Sequence, residues 1–204
     1  MASVSVLNKH QQRSEATRRK LLASSLRIFT RDGFEASRIE DIAAHAGHTR
    51  GAFYANFESK ESLFFALLEQ QITKHIGDLT KRLENCNSEQ EKLKALRTYY
   101  LDRASDRQWS MLMLEFKLYA IRHPRIRAGL AGAHRKIRAS VKLQIDGFLG
   151  CALKAKSEES VRTSLEAVLN GLVLQHSYDP DSLSEDQLVS TLGRIFDALT
   201  QVTG

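Results

Sequence analysis

Proline and turn dipeptides are scarce in this chain. It has 2 prolines in 204 residues, and aspartate-glycine or asparagine-glycine pairs are few. With little apolar/polar alternation at period two, that scarcity argues against a β protein. Cysteine is also sparse: Cys86 and Cys151 stand 65 residues apart, with no CxxC and no nearby ligand spacing. That excludes a disulfide framework and a cysteine-based metal site, and leaves two ordinary reduced thiols. No run of about 18 apolar residues occurs, so no membrane-spanning helix is expected. The first residues, "MASVSVLNKHQQRSEATRRK", lack the apolar stretch and small-residue cleavage site of a secretory signal, so the expected location is the cytoplasm. Metal-ligand clusters, phosphate-cradling glycine loops and nucleophile motifs are absent as well, and Glu115, His123, His134 and His176 are scattered. No enzyme, metal or cofactor is expected.

What remains is helical patterning and an uneven charge. A hydrophobic fraction of 42% suffices for one sizeable core or two small ones. The net charge of +6 suggests an anionic partner without naming one. Residues 1–60 carry ten Lys/Arg against six Asp/Glu, a balance of +4, while the other 144 carry twenty against eighteen. The basic excess therefore lies near the start of the chain.

Ser-x-x-Glu/Gln boxes at Ser37/Glu40, Ser88/Glu91, Ser105/Gln108 and Ser184/Gln187 each precede apolar residues at helical spacing. The spacing predicts an all-α chain of about nine helices. They run over about 14–32, 38–45, 49–56, 59–83, a fifth after residue 90, 106–122, 126–153, 158–177 and 185–202, with residues 1–13 as a flexible tail.

The third of these, within "GHTRGAFYANF" (47–57), is short and carries a glycine, so propensity alone does not support it. Phe53 and Phe57, four apart, share one side and can fasten it to the first helix. The other side presents Gly51, Ala52 and Ala55. Two short helices joined by "AHAGHT" fit a helix-turn-helix, with Gly47 as the left-handed turn residue. Small outer residues let a helix sit deep in a major groove. Arg50 can bond guanine, Asn56 can bond adenine, and an alanine methyl can meet a thymine methyl. Thr49 and the Tyr54 hydroxyl suit phosphate oxygens. Arg38 and Lys60, in the first turns of their helices, complete a phosphate clamp. His45 and His48 read as surface or turn residues.

The run "TRRKLLASSLRIFTRDGFEASRIEDIAAHAGHTRGAFYANFESKESLF" (17–64) resembles the DNA-binding domain of the tetracycline-repressor (TetR) family. The resemblance rests on "F..DGFEAS", "IEDIAAHAG", the aromatic pair in "AFYANF" and "SKESLF". It implies a three-helix helix-turn-helix domain at 14–60 and a helical effector-binding and dimerisation domain at 61–204, linked by the fourth helix. It further implies a homodimer that binds a palindromic double-stranded DNA operator. Such a protein is usually a repressor released by a small-molecule effector; an activator or a ligand-independent regulator of the same fold is the alternative. On the family pattern DNA contacts fall on Arg38, Thr49, Arg50, Gly51, Ala52, Tyr54, Asn56 and Lys60. His48 departs from the small apolar residue common at its position.

Two apolar stripes near the C-terminus are the candidate dimer seam: Leu165, Leu169, Leu172 and Val173 on the eighth helix, and Leu188, Leu192, Ile195, Phe196 and Leu199 on the ninth. The same stripes could instead face the protomer's own core. Trp109, Met113, Phe116 and Tyr119, in "QWSMLMLEFKLYAIRHP" (108–124), line either a ligand cavity or plain core. Between Phe116 and Ile145 there is no acid, while Lys117, Arg122, Arg125, Arg127, Arg135, Lys136, Arg138 and Lys142 are basic. A solvated face explains this run; attraction of an anionic effector or an acidic partner is the other reading.

Overall fold

The computed structural model describes residues 9–133, 135, 139 and 155–201, and every regular element among them is an α-helix. The helices are α1 (Lys9–Asp32), α2 (Ile39–His45), α3 (Arg50–Tyr54), α4 (Lys60–Glu84), α5 (Glu89–Ser105) and α6 (Arg107–Arg122). They continue with α7 over residues 124–133, α8 (Ala155–Tyr178) and α9 (Glu185–Gln201). The all-α class expected from the spacing is the class observed. The later part of the expected seventh helix, Cys151, and Lys136, Arg138 and Lys142 lie outside the described residues.

Local chemistry accounts for most helix ends. The Ser88 box forms in both directions, with Glu91 N–H donating to Ser88 Oγ at 3.2 Å and Ser88 N–H donating to the Glu91 carboxylate at 3.3 Å. Ser184 and Gln187 do the same at 3.2 and 2.8 Å. Two expected boxes fail. Ser37 donates its hydroxyl back to the Gly33 carbonyl, so Arg38 becomes the N-cap of α2 with no side-chain cap. Ser105 stays inside α5, and Asp106 takes over by accepting from Trp109 N–H at 3.2 Å. α1 starts at Lys9, five residues before its apolar stripe demands, because Lys, Gln and Arg are good helix formers without any core contact. α7 starts at Pro124, whose fixed φ and missing N–H suit the first helical position.

The chain divides into two compact units. The first comprises the described residues through Gln71 together with Tyr119–Ala133; the second comprises Ile72–Leu118 and the described residues after Ala133. Tyr119–Ala133 thus group with the N-terminal helices. In the first unit, Phe29 on α1, Phe34 in the α1–α2 link and Phe64 on α4 form an aromatic triad with centroids 5.3–5.8 Å apart. Tyr119 joins it, 5.0 Å edge-on to Phe34.

In the second unit α9 packs against α8 and α5. One cluster joins Leu79, Leu83, Leu96, Tyr100, Leu165 and Phe196; another joins Ala104, Leu169, Val173, Leu188 and Leu192. These clusters take in the residues of the expected dimer seam. Leu165, Leu169, Val173, Leu188, Leu192 and Phe196 are each at most 2% exposed within a single chain. Leu172, Ile195 and Leu199 are partly buried against the same two clusters. The first six are thus covered within the protomer, while Leu172, Ile195 and Leu199 keep some exposed area. The opposite side of α8 is the open one: Ala167 and Gly171 are exposed, as are Leu174 and Tyr178, at 50% and 82%.

Candidate nucleic-acid interface

The geometry of α3 begins with what anchors it. Phe53 is fully buried and Phe57 nearly so, their rings 5.8 Å apart. Arg18 of α1 lies over the Phe57 ring at 4.3 Å and donates to the Asn56 carbonyl at 3.1 Å. Gly47 adopts φ +72°, the left-handed conformation that a Cβ disfavours, and turns the chain between α2 and α3. Thr49 is the N-cap of α3 and accepts from Ala52 N–H at 3.3 Å. A five-residue helix with little intrinsic stability is thus held at both ends and from beneath.

Fixing one face leaves the other clear. Thr49, Arg50, Gly51, Tyr54 and Ala55 are exposed, and Ala52 is half-buried. A methyl group at Gly51 would meet nothing closer than Thr49 Oγ1 at 3.7 Å, an ordinary contact. Nothing among the described residues therefore requires glycine there. Arg50 reaches Glu40 of α2, with Nη1 2.9 Å from Oε1, and its guanidinium lies 5.5 Å from the Tyr54 ring centroid. Arg38, exposed, stands at the edge of the same carboxylate, 4.0 Å away. Glu40 is a partner that spacing alone did not identify. It orders Arg50 across the outer face, and because both groups are exposed the pair is easily exchanged.

Two expected contact residues have duties inside the domain. Asn56 donates from Nδ2 to the Ala52 carbonyl at 2.8 Å and accepts from Ser14 Oγ at 3.3 Å, so it closes α3 and ties it to α1. Lys60 sends its ammonium to the carbonyls of Glu35 and Ser37, both at 2.9 Å, and sits 4.8 Å from the Phe34 centroid. It braces the α1–α2 link against the start of α4. Neither role is legible in sequence, because the tying partners Ser14, Glu35 and Ser37 lie 23 to 42 residues away.

Next to Lys60, Glu61 accepts from the Tyr119 hydroxyl at 2.8 Å. Burial works to raise the Glu61 carboxyl, but bonds from its own backbone N–H, Tyr119 and Ser59 outweigh it and the net shift is downward. Burial and the bond to Glu61 push the Tyr119 phenol up to about 12. Tyr119 therefore belongs with the DNA-facing unit. The other three expected effector residues, Trp109, Met113 and Phe116, are buried in the second unit at 8%, 8% and 0% exposure. Among the described residues no three His, Cys, Asp or Glu side chains group as metal ligands, and no helix is long and apolar enough to cross a membrane.

Two family models match this chain. Residues 21–67 match the one described as bacterial regulatory proteins, tetR family, and residues 89–201, more than half of the chain, match the one described as BetI-type transcriptional repressor, C-terminal. The HTH-type transcriptional regulator AcrR of Shigella flexneri is 37% identical over 71 residues, 35% of this chain and 33% of that protein. The Transposon Tn10 TetC protein of Escherichia coli is 27% identical over 108 residues, 53% of this chain and 54% of that protein. The matched stretches thus span about half or less of these relatives' lengths. Among solved structures, a transcriptional regulator from Saccharomonospora viridis in complex with choline aligns at TM-score 0.68 and 21% identity, covering 88% of this chain and 95% of that one. FadR from Bacillus subtilis in complex with stearoyl-CoA aligns at 0.64 and 15%, covering 91% and 99%. At those identities the structures speak to the fold, and they show the same all-helical plan. With a buried Phe53 beneath an outward-facing α3, and with matches at both ends of the sequence, the chain belongs to the TetR family of DNA-binding bacterial transcriptional regulators.

Proposed function

We propose that this protein is a ligand-responsive repressor that occupies a palindromic operator as a homodimer and leaves it when a small effector binds. The observation that carries the reading is the outer face of α3, where glycine stands without any internal reason and Arg50 lies beside it. The glycine and alanines admit the helix into the groove, while Arg50 exchanges Glu40 for the O6 and N7 acceptors of a guanine. Thr49, Tyr54 and Arg38 meet phosphates on either side. Asn56 and Lys60 support those contacts by holding α3 and the start of α4 in place.

One short helix buries too little surface for useful specificity, so two copies must act together. The seam runs along the outer sides of α8 and α9, where Ala167 and Gly171 allow close approach and Leu174 and Tyr178 supply apolar area. Two-fold symmetry then sets half-sites one turn of DNA apart, about 34 Å. The choline and stearoyl-CoA complexes of two fold neighbours support a small-molecule effector. An effector shifts this equilibrium only by its differential affinity for the two states.

A mobility-shift titration with the DNA upstream of the protein's own gene tests the reading. Tight binding to a short inverted repeat, falling steeply with salt, is expected. Arg50→Ala should relax preference at one base pair per half-site, at a cost of about 1–3 kcal/mol there. Uniform weakening at every site would remove Arg50 from the reading role. A reporter fused to the same promoter separates repression from activation.

A further inference from the structure

The inward faces of the second unit carry cations that, among the described residues, no carboxylate contacts. On α5 the buried residues Leu96, Tyr100 and Ala104 define a face, and Arg103 lies on it beside Tyr99. On α6, Lys117 follows Trp109 and Met113 at successive intervals of four, so it continues a buried stripe. On α4, His75 stands four residues before the buried Leu79. These side chains converge. The His75 and Tyr99 rings are 6.5 Å apart, and the Arg103 guanidinium lies 5.9 Å from the Tyr99 centroid.

Among the described residues no carboxylate lies within ion-pair distance of Arg103 or Lys117. Glu166 of α8 is near enough to be felt by Lys117, and Arg162 near enough to be felt by Tyr100. Asp78 is near enough to be felt by His75 and Tyr99, and Asp106 by His75, so acids surround the cluster at a distance without pairing with Arg103 or Lys117. His75 Nε2 is buried with no hydrogen-bond partner among the described residues. Half-buried cations with no carboxylate in contact, and a buried ring nitrogen without an acceptor or donor, are both costly arrangements. The titration shifts agree with this setting. Burial holds the Lys117 ammonium below its ordinary value, against the pull of Glu166; burial and then the Arg103 charge lower His75; and burial raises Tyr99.

We infer that the effector is an organic anion, with a carboxylate head held by Arg103, Lys117, Tyr99 and His75 and an apolar body against the Trp109–Met113–Phe116 face of α6. This rests on the effector-responsive reading above and names its ligand class. Arg103 and Lys117 supply charge-assisted bonds, and the Tyr99 hydroxyl, kept protonated by burial, supplies a neutral donor. A quaternary ammonium ligand, such as the choline in one fold neighbour, would meet like charge here and is disfavoured.

Trp109 is the sole tryptophan and lies two turns from Lys117 on the same helix face, so its fluorescence reports binding. The full-length protein is titrated with octanoate, 1-octanol and octyltrimethylammonium, which share a tail and differ in head charge. Octanoate should bind at least about tenfold more tightly than octanol, and octyltrimethylammonium more weakly than either. Lys117→Met and Arg103→Met should each weaken octanoate by about tenfold and leave octanol unchanged, while Lys117→Arg should keep octanoate binding. Retained helical circular dichroism and operator binding certify the variants' fold. Preference for the ammonium, equal affinity for all three heads, failure of all three to bind, or variants that bind octanoate like the parent would each overturn the inference. Operator release is read separately. If octanoate binds as expected while operator DNA stays bound, the anion site stands and release by effector falls. If octyltrimethylammonium releases the operator, effector control stands and the anion site falls.

Discussion

Gly51 separates two demands that usually coincide. Its backbone is helical, and the space a methyl would fill is open, so the folded chain on its own would accept alanine. Gly51→Ala should therefore raise thermal stability, by up to about 1 kcal/mol from helix propensity. The same methyl would stand between α3 and the base edges, so operator affinity should drop. Melting curves and mobility shifts on one preparation check both halves; a variant that binds as tightly as the parent would mean α3 does not approach the bases closely. Tyr119 and Glu61 give a second, pH-dependent test. Because the folded Glu61 pKa lies below its ordinary 4.5, its contribution is complete above that value and is lost as pH falls through the folded pKa. Tyr119→Phe removes one of the bonds responsible. The stability gap between parent and variant should be widest near neutrality, on the order of 1 kcal/mol, and should close in melts taken toward pH 3.

Short elements in this fold borrow their stability. α3 has five residues, and its position depends on Gly47, Thr49, Asn56 and the two phenylalanines rather than on its own hydrogen bonds. Gly47→Ala forces a Cβ into the left-handed region, which costs about 1–2 kcal/mol. The lowest-cost relief is a rotated turn that re-aims α3. Operator binding should then suffer more than global unfolding, and chemical denaturation beside a mobility shift would expose the difference. The longer helices behave differently, since amphipathic spacing and caps specify them locally. Ser88 and Ser184 formed the expected boxes because both arms lie within one turn. Ser37 and Ser105 did not, because a competing acceptor at Gly33 and a better cap at Asp106 were available. A serine three residues before Glu or Gln shows that a box can form, and its neighbours settle whether it does.

Assembly turns on which side of α8 is free. Leu169 is buried inside the protomer and Leu174 is half exposed on the opposite side. Leu174→Glu should yield a folded chain that elutes as a monomer and binds operator weakly, because one half-site cannot hold it. Leu169→Ala should instead cost about 2–5 kcal/mol of folding stability, with association following only as the fold is lost. Size-exclusion chromatography with light scattering, alongside thermal melts, distinguishes the two. Monomeric Leu169→Ala with parental stability would place the seam on the inner stripe instead.

Helical class, the left-handed turn at Gly47 and the inward pair Phe53/Phe57 were all legible in one dimension. Each depends on residues within a turn or two of one another, where periodicity, capping and propensity act directly. The partners of those faces were not legible. Leu165 and Leu192 read as buried in any case, and the stripe is silent on whether a neighbouring helix or a second copy buries them. Lys60 and Arg50 read as cations facing DNA, and only packing brought the carbonyls of Glu35 and Ser37 to one and Glu40 to the other. Tyr119 shares a helix with Trp109 and Met113 yet serves a different core, because a long helix passes through more than one environment. Amphipathic spacing records that a side chain leaves water. What it meets there is set by contacts between residues far apart along the chain.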